Sequence, residues 1–129
     1  MNELFLKKVN NQWVFRNKVK HFDYSSRHFE IDNSYGVYVS HEKQGVFRLQ
    51  LDSKLVKSNS IASYTALKSG KNSGLVKFNN VIYYAYREGV FKLNSKTKQF
   101  EKDLLLSSVF EKDEYTSGKM IVDDWFCIF

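Results

Sequence analysis

Apolar and polar residues alternate along much of the chain, and helical spacing is rare. In GVFRLQL, Phe47, Leu49 and Leu51 fall on one face and Val46, Arg48 and Gln50 on the other, the period of two of a half-buried strand. In NVIYYAY every position from Val81 to Tyr86 is apolar or aromatic, which suits a strand buried on both faces. Near the N-terminus, LFLKKVNNQWVFRN predicts a hairpin that turns at VNNQ and carries Trp13 and Phe15 on one face.

The pattern repeats. YGVYVSHEKQGVFRLQL is echoed by NVIYYAYREGVFKL, and Gly45 and Gly89, 44 positions apart, head the two matching Gly-Val-Phe-basic-Leu strings. Held without a gap, that offset pairs Val37 with Val81, Tyr38 with Ile82, Val39 with Tyr83, Phe47 with Phe91 and Leu49 with Leu93. A second step carries Phe78 to Val122, Val81 to Trp125 and Ile82 to Phe126.

Each unit then reads as four strands. An inner strand (HFEID, GLVKF, GKMIV) leads to a second (GVYVSH, VIYYAY, WFCIF), a third starts at Gly45 or Gly89, and a weaker fourth lies in IASYTAL or FEKDLLL. SKLVKSNS and KSGKNSG read as loops. Four-stranded units at this spacing are the signature of propeller blades, which bury their faces only against neighbouring blades.

The expectation is an all-β chain of consecutive four-stranded antiparallel β-propeller-type blades, a partial propeller of about two and a half blades. Residues 1–28 would end a preceding blade and connect, 29–72 and 73–116 would each form a blade, and 117–129 would start the next. A small antiparallel sandwich or barrel with coincidental hairpins is the alternative. A partial propeller would leave faces and strand edges uncovered, so self-association of the isolated chain is expected.

Composition narrows the picture. At 129 residues, 43% hydrophobic and 26% charged, the chain is long and apolar enough for one folded core. The net charge of +6 invites a nucleic-acid reading, but the Lys and Arg are scattered through turns and strand faces, as in FKLNSKTKQF, and solvated faces explain them better. No run approaches the roughly 20 apolar residues of a membrane span, and MNELFLKKVNNQWVF lacks a continuous apolar leader core. The single cysteine, Cys127, cannot form an intrachain disulfide and reads as a small core residue.

Candidate chemistry is sparse. His21, His28 and His41 lack the paired spacing of a metal motif, so neither a metal nor another cofactor is expected. DYSSRH is the most polar cluster beside an inner strand: Arg27 could clamp a carboxylate, Tyr24 could stack on a sugar ring, and His28 could face a central channel with them. The plainer reading is a loop capped by Asp23 and Ser25, with Arg27 paired to a nearby acid. Asp123 and Asp124 align with the Asn79-Asn80 turn and read as a turn rather than as cooperating carboxylates. With no nucleophile elbow and no phosphate loop, an enzyme is not expected.

From Ile31 to Leu49, IDNSYGVYVSHEKQGVFRL carries an Asp, a short Gly-containing turn, an aromatic-centred strand ending in Ser, and then Gly-hydrophobic-aromatic-basic-hydrophobic. It resembles the two-component regulator propeller repeat, found in sensor regions of bacterial hybrid histidine kinases and triple-tyrosine-motif regulators, especially in Bacteroidetes. The resemblance implies that Asp32 ends an inner strand, Gly36 sits in the hairpin turn and Tyr38 takes the usual Trp position, while the repeat itself makes Gly45 and Gly89 hairpin glycines. The second copy departs at Asn79-Asn80, which has no Gly matching Gly36.

What the resemblance implies for function is a ligand-sensing propeller segment of a two-component or transcriptional signalling receptor, on the periplasmic or extracellular side of a membrane. Its partners would be the remaining blades of a parent protein and a small-molecule or glycan ligand, with no nucleic acid. A stand-alone carbohydrate-binding, lectin-like module that completes a propeller by oligomerising is the alternative.

Overall fold

The N-terminal hairpin pairs β1 (Leu4–Val9) with β2 (Gln12–Lys18) through Asn10 and Asn11, whose φ values of 48° and 64° give the left-handed backbone of a type I′ turn. In the computed structural model, which describes residues 4–24, 26, 28–64, 66–67, 72–110, 121–122 and 127–128, two four-stranded antiparallel sheets follow. The first runs in chain order through β3 (His28–Ile31), β4 (Gly36–His41), β5 (Gly45–Leu51) and β6 (Ser58–Tyr64). The second runs through β7 (Gly74–Phe78), β8 (Val81–Tyr86), β9 (Gly89–Leu93) and β10 (Phe100–Lys102). A short helix, α1 (Leu104–Ser108), comes next, and β11 (Ile121–Val122) pairs with β12 (Cys127–Ile128).

The fourth strands depart from expectation at both ends. β6 starts at Ser58, inside the stretch read as a loop. FEKDLLL stops being a strand at Lys102, because Asp103 caps a helix instead: its Oδ1 accepts from the Leu106 amide at 2.9 Å. The helix then takes over the ladder of β9. Asp103 N donates to Val90 O at 2.9 Å, and the Ser107 hydroxyl, 3.0 Å from both, accepts from Val90 N and donates to Val90 O.

The repeat holds strand by strand, but the gapless offset breaks at the hairpins. His41 stands opposite Gly45 across Glu42, Lys43 and Gln44, whereas Tyr86 stands opposite Gly89 across Arg87 and Glu88 alone. The second hairpin is one residue shorter. Gly45 and Gly89 therefore correspond, as do Phe47 and Phe91, but Val37, Tyr38 and Val39 match Ile82, Tyr83 and Tyr84 rather than Val81, Ile82 and Tyr83. A slip of one residue exchanges the two faces of a strand, so this correction decides which side chains enter which core. In the last pair Ile121 pairs with Ile128 and Val122 with Cys127. Asp123, Asp124, Trp125 and Phe126 lie outside the described residues.

Both faces of the first sheet carry apolar side chains into a core. Val37, Val39, Phe47, Leu49 and Leu51 pack with Val19 and Phe22, from the segment after the hairpin, and with Phe5 of β1. On the opposite face Tyr38, Val46 and Tyr64 meet Leu75, Ile82, Tyr84 and Phe91 of the second sheet. The sheets meet along β7, on which β3 and β4 of the first sheet pack, and β7 also packs on β11. Tyr38 and Tyr84, fully buried between the sheets at 0% exposure, are among the largest contributors at about 1.5–3 kcal/mol for each such side chain.

Cover is uneven elsewhere. Leu6 pairs with Phe15 and Lys8 with Trp13, so Leu6, Trp13 and Phe15 share one hairpin face. That face is open to solvent, with Trp13 68% and Phe15 63% exposed.

Candidate functional site

A caged carboxylate organises the edge where the first sheet meets the second. Asp32 follows β3, and its Oδ1 accepts from Ser34 N, Ser34 Oγ and Gly36 N, each at 2.8 Å. Burial pushes the Asp32 carboxyl up, but the Ser34 and Gly36 hydrogen bonds and the Lys98 charge outweigh it and hold it below its usual range. The cage needs a glycine. A Cβ at Gly36 would lie 2.6 Å from Asp32 Oδ2 and 3.0 Å from an Arg48 guanidinium nitrogen.

Around that carboxylate the first sheet assembles a polar network on its inter-sheet face. Arg48 Nε donates to the Tyr38 hydroxyl at 3.1 Å and Nη2 donates to Gln50 Oε1 at 2.7 Å, while Gln50 Nε2 donates to Ser34 O at 2.8 Å. Two cations approach Asp32 Oδ2 at longer range, Arg48 at 3.9 Å and Lys98 at 3.6 Å. Lys98 is set by its turn, in which Asn94 Oδ1 accepts from the Lys96 and Thr97 amides and Lys98 N donates to Asn94 O. The Tyr64 hydroxyl fixes that turn to the first sheet by donating to Lys98 O at 2.7 Å.

These groups open onto a groove of about 340 Å³ between the outer strands of the two sheets, lined among others by Arg48, Tyr64, Leu67, Phe91, Lys98 and Phe100. The Tyr64 and Phe100 rings meet edge to face at 5.1 Å. Burial raises the Tyr64 hydroxyl well above its ordinary value, so it stays a neutral donor. A second, apolar cleft of about 210 Å³ lies on the other face of the first sheet, lined by Phe5, Val19, Phe29, Ile31, Val37, Leu49 and Leu51.

Between the sheets the Ser40 and Ser73 hydroxyls bond each other at 3.2 Å beside Tyr84. Burial raises the Tyr84 hydroxyl and the two serines offset part of that, although no partner lies at full hydrogen-bond distance from it among the described residues.

Of the residues singled out in DYSSRH, Tyr24 and His28 lie apart. Tyr24 stacks on Phe47 at 4.9 Å and 11° and meets His41 edge-on at 5.6 Å. His28 pairs with Ser40, which puts it on the opposite face of the sheet from Phe47. Arg27 lies outside the described residues. Gly45 and Gly89 open β5 and β9 with φ of 85° and 128°, beyond the ordinary range of other residues. Sequence reasoning passed over Arg48, Tyr64 and Lys98; the available signal was a cation inside the apolar alternation of GVFRLQL.

Among the described residues no group of His, Cys, Asp or Glu is arranged to hold a metal ion, and no helix is long and apolar enough to cross a membrane. No protein-family model and no curated protein matches the chain. Two solved structures of a Trichoderma reesei carbohydrate-active enzyme of family AA12, a calcium and an iodide form, align at 24% identity with a TM-score of 0.44. The alignment covers 58% of this chain and spans 20% of theirs, a likeness too slight to carry fold or function across.

Proposed function

We propose that the chain is a β-propeller-type segment of a ligand-sensing receptor, a bacterial two-component or transcriptional regulator whose sensor lies outside the cell. One observation carries the architectural half: two four-stranded sheets with corresponding strands stack face to face, and their first strands β3 and β7 are followed by β11 of the two-stranded pair, which packs on β7. The first sheet's other face offers Val37, Val39, Phe47 and Leu49 at the positions where the second sheet has Ile82, Tyr84, Phe91 and Leu93. In the second sheet those positions pack against the first sheet, whereas in the first they are covered by Val19 and Phe22 and by Phe5 of the N-terminal hairpin, with Val37 and Leu49 bordering the apolar cleft beside Phe29, which is 55% exposed. On this reading the hairpin and the segment after it occupy the place of a preceding blade. The signalling half rests on the resemblance of Ile31 to Leu49 to the regulator propeller repeat.

Sedimentation velocity of the purified chain over a range of concentrations tests the architecture. Concentration-dependent association is expected, and a monomer throughout would overturn the partial-propeller reading. A parent gene encoding a membrane helix and an output domain would support the receptor. Glycan binding by this chain alone, without such a gene, would favour the stand-alone lectin-like module.

A further inference from the structure

We infer that the groove between the outer strands binds a small organic carboxylate with a flat apolar body, an aryl carboxylate fitting best. The inference deepens the ligand-binding part of the reading above, but it rests on the two sheets and their contact rather than on a propeller. At about 340 Å³ the groove falls within the range of small-molecule sites.

Charge sets the class of ligand. Arg48 and Lys98 line the groove, and none of the described residues lining it is acidic. Asp32 stands behind the two cations, with one oxygen occupied by three donors at 2.8 Å, and reaches them only at 3.6 and 3.9 Å. One carboxylate shared between two cations leaves a net positive charge at the groove wall. Arg48 is already held by Tyr38 and Gln50, so its guanidinium meets an anion with little further ordering. Lys98, with its side chain 39% exposed, can swing onto the same anion.

The walls set its shape. The rings of Tyr64, Phe91 and Phe100 with Leu67 offer flat and aliphatic surface, while Ser63 and Gln99 are the neutral polar side chains besides Tyr64. The Tyr64 hydroxyl is committed to Lys98 O. A polyhydroxylated sugar would leave hydroxyls unpaired against these walls, whereas an aromatic ring would not.

Titration of the ¹⁵N-labelled full chain with benzoate, benzamide and glucuronate, followed by NMR, tests this. Benzoate is expected to shift the amides of Ser63, Lys98 and Gln99 and to bind at least about tenfold more tightly than benzamide or glucuronate. Lys98→Met should weaken benzoate about threefold with the spectrum otherwise unchanged, and Arg48→Gln about tenfold. If Arg48→Gln fails to fold, the Lys98→Met comparison decides. Equal binding of benzoate and benzamide, tighter binding of glucuronate, shifts confined to other residues, or no saturable binding would each overturn the inference. Benzoate binding by a strictly monomeric chain would sustain it while removing the propeller reading.

Discussion

The first and second sheets share strand order, pairing and a six-residue third connection closed by Asp52 N to Lys57 O in one and Asn94 N to Gln99 O in the other, yet differ in their first two connections. The first turns from β3 to β4 through a caged Asp32, the second from β7 to β8 through Asn79 and Asn80, whose φ values of 48° and 60° repeat the N-terminal hairpin's solution. The next hairpin is one residue shorter in the second sheet, and the seven-residue β6 is answered by the three-residue β10 and a capped helix. Strand faces are the invariant and the first two turns the variable. The polar site arises once because the first sheet alone combines an acid-caged turn with an arginine on its inter-sheet face. At the matching places the second sheet has Val81 for Gly36 and Lys92 for Arg48, and Lys92 pairs with Asp103 at 4.0 Å.

If the sheets are held together by their apolar faces, the largest loss comes from emptying the space between them. Tyr84→Ala is expected to cost about 3–5 kcal/mol in urea unfolding, a large part of a small domain's stability. Trp13→Ala, on the open hairpin face, should stay within about 0.5 kcal/mol. Tyr84→Phe separates packing from polarity: removing a buried hydroxyl without a full hydrogen bond should be neutral or slightly stabilising. Similar losses for Trp13→Ala and Tyr84→Ala would break the contrast between covered and open faces.

A middle-sized effect isolates the turn. Gly36→Ala forces a Cβ against Asp32 and Arg48 and should cost about 1–3 kcal/mol. In an Asp32→Ala background the same change should cost clearly less, because the nearest contact is gone. An unchanged cost in the double-mutant cycle would mean that the cage does not require the glycine.

Much of this plan was legible in the sequence, for reasons that also mark its limits. Alternation in GVFRLQL and GVFKL and the glycines that open them located β5 and β9, and the apolar runs before them located β4 and β8. The shorter second hairpin was hidden because an aligned Gly45 and Gly89 look the same whether the lost residue falls before or after them. Asp103 was hidden inside FEKDLLL, where three leucines read as strand although Leu104 and Leu105 lie on an exposed helix. The groove left little local trace, since Arg48, Tyr64 and Lys98 come from three segments that meet only when the sheets stack. Tyr24 and His28, four positions apart in one polar phrase, end on opposite sides of the first sheet, Tyr24 against Phe47 and His28 opposite Ser40.

Two acids on the inter-sheet side of the first sheet carry opposite signs with pH. Asp32 is depressed below its ordinary 3.8, so its stabilisation is present above that value and fades as pH falls through its lower folded value. Glu30 is raised above its ordinary 4.5, chiefly by burial, which outweighs its bond from the Lys77 amide and the Lys77 charge. Its contribution is full below 4.5 and is lost as pH rises through its folded value. Asp32→Asn should therefore lose stability at neutral pH and converge on the parent in acid. Glu30→Gln, which keeps an acceptor for Lys77 N, should gain at neutral pH and lose that advantage in acid. Urea midpoints between about pH 3 and pH 7 read both, and parallel curves for the two variants would sink the distinction.

The smallest effect tests the turns against each other directly. Tyr35 closes the Asp32 turn at φ 61°, a left-handed conformation that costs a bulky residue more than an asparagine, and the residue is 57% exposed. Asn80 holds nearly the same φ, 60°, in the corresponding turn of the second sheet, where asparagine tolerates it. Tyr35→Asn should raise stability by up to about 1 kcal/mol, and Asn80→Tyr should lower it by a similar amount. The backbone partners of Tyr35, Asp32 O and Leu51 N, are untouched by the exchange, so the cage should survive it. Thermal melts of the two variants measure the pair. If Tyr35→Asn destabilises instead, the tyrosine is held by contacts of its own, and the first sheet's turn is specified by its side chain as well as by its carboxylate.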